Sequence, residues 1–112
     1  MSKMNVKPIK ELAAILPQMK QWMEAMHQDP ELSTQEVNTG KYVADLLKNM
    51  GYEVHEHVGK YGIEGVVGVL SHGYGKKKIG IRADMDALPI QEINNLPYTS
   101  RYVNSTSKCK FT

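Results

Sequence analysis

One cysteine, one tryptophan and one phenylalanine are all that the 112 residues contain of those three types. With a single cysteine, Cys109, an internal disulfide is excluded, and so is any zinc module built from several thiolates. No apolar run approaches the ~20 residues that a membrane-spanning helix requires. The opening residues, Met1-Ser2-Lys3-Met4-Asn5-Val6-Lys7, lack the apolar stretch of a secretory signal, so the expected compartment is the cytoplasm. Charge of either sign is scarce as an excess: the formal net charge is +2. Nucleic-acid affinity rests on neutralising many phosphates, and this balance argues against it.

What remains is the composition of a globular chain of about one domain, with 41% hydrophobic and 23% charged residues and a mean hydropathy of −0.43. Residues 1–92 carry 11 Lys and Arg against 12 Asp and Glu, whereas residues 93–112 carry Arg101, Lys108 and Lys110 and no acid. The positive excess therefore sits in the last twenty residues, which also show the weakest periodicity.

Two helices are expected first. Ile9, Leu12, Ala13, Leu16, Met19, Met23 and Met26 recur at spacings of three and four, which stacks them on one face. Pro17 falls inside that run and should kink it or start a second helix. Asp29-Pro30 should end it, because the residue before a proline avoids helical geometry. In Ser33-Thr34-Gln35-Glu36 the serine hydroxyl and the glutamate carboxylate have the spacing of a capping box. The helix that follows buries Val37, Val43, Ala44, Leu47 and Met50 and closes at Gly51.

Beyond Gly51 the period falls to two. Tyr52, Val54, Glu56 and Val58 alternate with Glu53, His55 and His57, the pattern of a half-buried strand. Gly65 to Leu70 is nearly all apolar, as in a strand covered on both faces. Ile79 to Ala83 reads as a third strand. The expected fold class is therefore α/β, two helices followed by three strands, with helices on at least one face of the sheet.

Asp84 and Asp86 leave the end of the third strand two residues apart, so extended geometry points both to one side. Strand ends in α/β sheets are common ligand sites, and paired carboxylates there can hold a metal or orient a metal-bound histidine. The alternative is an ordinary acidic turn ahead of Pro89. His55 and His57, at i and i+2 on a strand, can chelate an ion or simply face water. His72 sits in a turn, and His27 at a helix end complements the dipole there. The glycines at 62, 65, 68, 73 and 75 do not form a nucleotide-binding fingerprint, and Met19, Met23 and Met26 read as core.

His27-Gln-Asp-Pro-Glu-Leu-Ser33, Glu36, Gly51-Tyr-Glu-Val54, Gly80-Ile-Arg-Ala-Asp-Met-Asp-Ala-Leu-Pro-Ile90 and Leu96-Pro-Tyr98 occur in that order. Together they resemble the N-terminal part of the M20 metallopeptidase family in its amidohydrolase branch, from about Trp22 to Ser100. That resemblance implies a catalytic α/β domain with an inserted dimerisation domain. It also implies two divalent ions of the zinc, manganese, cobalt or nickel class, and hydrolysis of the amide bond of N-acyl amino acids or similar conjugates. A bridging water would be the nucleophile and a glutamate its general base. Asp86 matches the aspartate that supports the metal site, and Asp84 stands where other branches place a histidine ligand. His27 and Glu31 belong to the signature and are read as fixing a helix end.

After Tyr98 the resemblance fails. Cys109 falls near the position of the family's cysteine ligand, but Lys110, Phe111 and Thr112 stand where Gly-His-Asp should follow. Residues 1–98 are thus expected to be the leading part of an M20-like catalytic domain, and residues 99–112 a divergent, disordered tail. The general base, the later ligands and the dimerisation domain have no counterpart here, so the chain is expected to bind no metal and to be inactive alone. The alternative is a small α/β protein that binds a separately encoded remainder of the enzyme and complements it.

Overall fold

The computed structural model describes residues 9–60 and 65–102. In order these form α1 (Lys10–Gln28), α2 (Val37–Asn49), β1 (Glu53–Val58) and β2 (Gly65–Val69). The fold class is α/β, as the change of period predicts.

α1 runs for 19 residues with Pro17 inside it, so the proline neither ends the helix nor starts another. None of its residues is buried. Leu12, Leu16, Met19 and Met23, the stripe that periodicity assigns to a core, face solvent. Asp29-Pro30 does stop the helix, with Asp29 as its C-terminal cap residue.

α2 ends as Gly51 requires. The Tyr52 amide donates to the Leu47 carbonyl at 3.1 Å and the Gly51 amide to the Lys48 carbonyl at 3.0 Å. This is a Schellman arrangement, made possible by φ of +91° at Gly51. The start of α2 departs from the expected capping box. Ser33 and Glu36 do not cap it; the helix opens at Val37 with no side-chain bond from Glu36. Thr34 adopts φ of +71°, and the Gln35 amide closes a turn onto the Leu32 carbonyl, which carries Ser33 out of capping position.

β1 and β2 pair antiparallel, with Glu53 opposite Val69, Val54 opposite Gly68, His55 opposite Val67 and Val58 opposite Gly65. The register is irregular between His55 and Val58, where His57 takes φ of +58°. α2 packs over this hairpin, with Ala44 fully buried. A Cβ at Gly68 would stand 3.0 Å from Tyr52 Cδ1 and 3.2 Å from Leu47 Cδ1, so the missing side chain lets α2 close on the strands. The other face has no helix among the described residues, which leaves Val67 and Val69 exposed rather than covered on both sides.

The third strand is not formed. Residues 79–83 carry no ladder, and Ile79 and Ile81 are 90% and 93% exposed. A strand exists only against another strand's edge and is stable only with a covered face. Among the described residues this segment pairs with neither outer edge of the hairpin, and no element covers it. The radius of gyration, 17.6 Å, exceeds the ~13 Å of a compact domain of this length.

Candidate functional site

Asp84 and Asp86 lie on the extended stretch that replaces the third strand, and both are exposed. The Arg82 guanidinium pairs with Asp84 through Nη2 and Oδ1 at 2.9 Å. His55 turns its Nε2 to Glu53 Oε1 at 3.1 Å, with both side chains largely in water. His57 sits at the irregularity in β1 and His72 in an exposed turn. Cys109 lies outside the described residues. Among the described residues no three His, Cys, Asp or Glu side chains converge as metal ligands would. By themselves these residues do not fit a dinuclear ion centre.

What does converge is a different subset of the motif residues. At the start of α2, Glu31 takes the place that Ser33 leaves. Its Oε1 accepts from the Thr39 amide at 2.5 Å and the Thr39 hydroxyl at 2.7 Å. Its Oε2 accepts from the Asn38 amide at 3.1 Å and from Asn38 Nδ2 at 3.4 Å. Burial pushes the Glu31 carboxyl up, but the bonds from Thr39, Asn38 and Val37 outweigh it and hold the group below its ordinary value. An anion at a helix N-terminus is also favoured by the dipole. Glu31 does fix a helix end, but it is the start of α2 and not the end of α1 where the signature places it beside His27.

The other end of the motif reaches across the chain. His27 Nε2 meets Glu92 Oε1 at 2.9 Å, and the Tyr98 ring stands edge-on to the imidazole at 5.9 Å. The second Glu92 oxygen, Oε2, accepts from the Ser100 amide at 2.8 Å. Gln28 Nε2 donates to the Pro97 carbonyl at 2.8 Å, and the Gln28 carbonyl accepts from the Arg101 amide at 2.7 Å. Arg101 also pairs with Asp29. Glu92 is held below its ordinary value, first by the Ser100 amide and then, against desolvation, by His27. Thus Glu92, Pro97, Tyr98 and Arg101 meet the end of α1, and residues 103–112 lie outside the described part. Glu92 and Arg101 carry no local signal in the sequence, since the α1 residues they meet, His27 for one and Gln28 and Asp29 for the other, are more than sixty residues away.

Glu36, the residue before α2, is 5% exposed and has no hydrogen-bond partner for Oε2. Two shallow clefts border the region. One is lined by Ala25, Met26, Asp29, Asn38, Thr39 and Tyr42, the other by Asp29, Pro30, Glu31, Asn38, Arg101 and Tyr102; neither includes Asp84 or Asp86.

The chain is 47% identical over 106 residues to a hippurate hydrolase of Campylobacter jejuni, a match covering 95% of this chain and 26% of that one. It belongs to the M20 amidohydrolases. This M20 chain is also 40% identical over 84 residues to thermostable carboxypeptidase 1 of Saccharolobus solfataricus, which covers 75% of it and 21% of the relative. It is 37% identical over 95 residues to an N-acetyldiaminopimelate deacetylase of Oceanobacillus iheyensis, covering 82% and 24%. The chain therefore spans about a quarter of the length of the curated relatives it matches. No protein-family profile matches it, and no solved structure does.

Proposed function

We propose that these residues are the leading part of the catalytic domain of a metal-dependent, cytoplasmic amidohydrolase that cleaves the amide bond of N-acyl amino acids or related conjugates. The observation that carries this reading is the 47% identity to a hippurate hydrolase over 95% of the chain; hippurate is itself an N-acyl amino acid. Divalent ions supply a water made acidic enough to attack an amide at neutral pH. This chain's contribution is Asp86, which supports the metal centre, with Asp84 beside it and held by Arg82. Catalytic metal sites need three or more ligands from separate segments. On this reading the 112 residues hydrolyse nothing alone, and residues 99–112, Cys109 included, supply no ligand.

A second reading has its own support: the chain acts by docking onto a separately supplied remainder of the enzyme. Ile79, Ile81 and Ile93 are 90%, 93% and 88% exposed, side chains whose burial against a partner would be favourable. Glu36 adds a buried carboxylate oxygen without a donor, which a partner's amide or cation would satisfy.

Both readings are tested by mixing the purified chain with the remaining three quarters of a hippurate hydrolase, in manganese or zinc, and following hippurate cleavage. The chain alone is expected to give none. Co-elution with restored hydrolysis that is lost in Asp86→Asn supports both readings. Hydrolysis by the chain alone refutes the first. Failure to co-elute refutes the second.

A further inference from the structure

Three consecutive residues at the end of α1 (His27, Gln28 and Asp29) all bond to the segment from Glu92 to Arg101. We infer that Glu92 is a positioning residue: by holding His27 Nε2 and the Ser100 amide at once, it clasps the segment that carries Asp84 and Asp86 onto the end of α1.

The argument is one of tethers. Past Val69 the chain leaves the sheet, and the bonds seen between residues 70 and 91 are local, Arg82 to Asp84 and the Ile90 amide to the Leu88 carbonyl. The fixed points for Asp86 are thus the end of β2, seventeen residues back, and Glu92, six residues on. An extended chain reaches at most ~3.6 Å per residue. The sheet therefore limits Asp86 only to within ~60 Å, while the clasp limits it to ~20 Å. Where Asp86 can stand is set by Glu92, not by the strands.

The chemistry suits the place. The C-terminal end of a helix disfavours an anion, so Glu92 needs the donors that meet it there. One carboxylate oxygen takes the imidazole and the other takes a backbone amide. The same end gathers the Asp29–Arg101 pair and the Tyr98 ring, and of the charged groups there His27 is the one that acts on Glu92. That Asp86 matters to catalysis rests on the function proposed above; the clasp itself does not.

The test is amide hydrogen exchange and NMR on the full 112-residue chain and on Glu92→Gln, His27→Gln and His27→Ala. In the parent the Ser100 and Arg101 amides should exchange at least about tenfold more slowly than in a free peptide. The Ser100 amide shift should titrate in acid, below the ordinary glutamate midpoint of 4.5. Glu92→Gln should abolish that titration and lower protection of Arg101, although Arg101 bonds to Gln28. It should also loosen the Asp86 amide while leaving Ala44 unchanged. His27→Gln, which keeps a donor at the same reach, should retain the protection that His27→Ala loses. Free exchange at Ser100 in the parent overturns the inference. So does an effect of Glu92→Gln on Ala44 equal to that on Asp86, or a silent His27→Ala. No activity is read, so failure here is separate from failure of the hydrolase reading.

Discussion

Replacing Glu31 by alanine removes the single carboxylate that serves two amides in the first turn of α2. The first four amides of a helix have no intrahelical carbonyl to bond. In α2 those of Asn38 and Thr39 donate to Glu31. Loss of an N-terminal cap costs ~0.5–2 kcal/mol, and loss of an anion near that terminus a further ~0.3–1 kcal/mol. For a half-buried group we expect about 1.5 kcal/mol for Glu31→Ala, and about 0.5 kcal/mol for Glu31→Gln, which keeps an acceptor and loses the charge. A cost of about 1.5 kcal/mol is roughly a tenfold fall in amide protection along α2, read at Ala44 and Leu47 by hydrogen exchange. Acid gives an independent reading. The folded carboxyl lies below its ordinary value of 4.5. Its contribution is therefore complete above pH ~4.5 and is lost as pH falls through the folded pKa. The parent should lose α2 protection in that window, and Glu31→Gln should lose none of that increment. Ser33→Ala is the control: Ser33 does not cap the helix, so its removal should leave α2 unchanged. A Ser33→Ala cost equal to that of Glu31→Ala would refute the reasoning, as would a Glu31→Gln helix with the acid sensitivity of the parent.

Gly65→Ala places a Cβ 1.7 Å from the Val58 carbonyl oxygen; the overlap should open that end of the hairpin at a cost of ~1–3 kcal/mol, seen as lost amide protection in β1 and β2. Unchanged protection would mean that the strands do not meet there. Pro17→Ala restores a donor for the Ala13 carbonyl within α1 and should stabilise that helix by up to ~3 kcal/mol, raising ellipticity at 222 nm. A flat spectrum would show that Pro17 lies outside the helix.

The elements whose causes are local were legible in the residues. Asp29-Pro30 stops α1, Gly51 closes α2, and the switch to period two marks β1, because each depends on atoms a few positions apart. Where the deciding atoms are distant, the residues alone misled. Ser33 and Glu36 have the spacing of a capping box, but the turn at Thr34 hands the task to Glu31. Ile79 to Ala83 alternates like a strand, but among the described residues it pairs with neither edge of the hairpin and nothing covers its isoleucines. The stripe on α1 has helical period, but periodicity reports which residues share a face and not what covers that face. Asp84 and Asp86 stand out by their spacing alone, whereas Glu92 falls between two motifs and is visible only once His27 is placed beside it.

The most buried side chains sharpen what the family motif is for. Apart from Ala44, they belong to Glu36, Thr39 and Ser100, all polar, while large isoleucines lie open. Burying polar groups is unfavourable unless each finds a partner. Thr39 finds Glu31 and the Ser100 amide finds Glu92. His27, Asp29 and Glu31 thus act as struts that join α1, α2 and the 92–102 segment by hydrogen bonds before any large apolar core exists. Such a frame costs little to expose and specifies register strongly, because each bond fails if its partner slips by one residue. On the proposed reading, in which a larger sheet would cover the isoleucines, that kind of tie serves better than an apolar seam, which would pair with any other apolar surface it met.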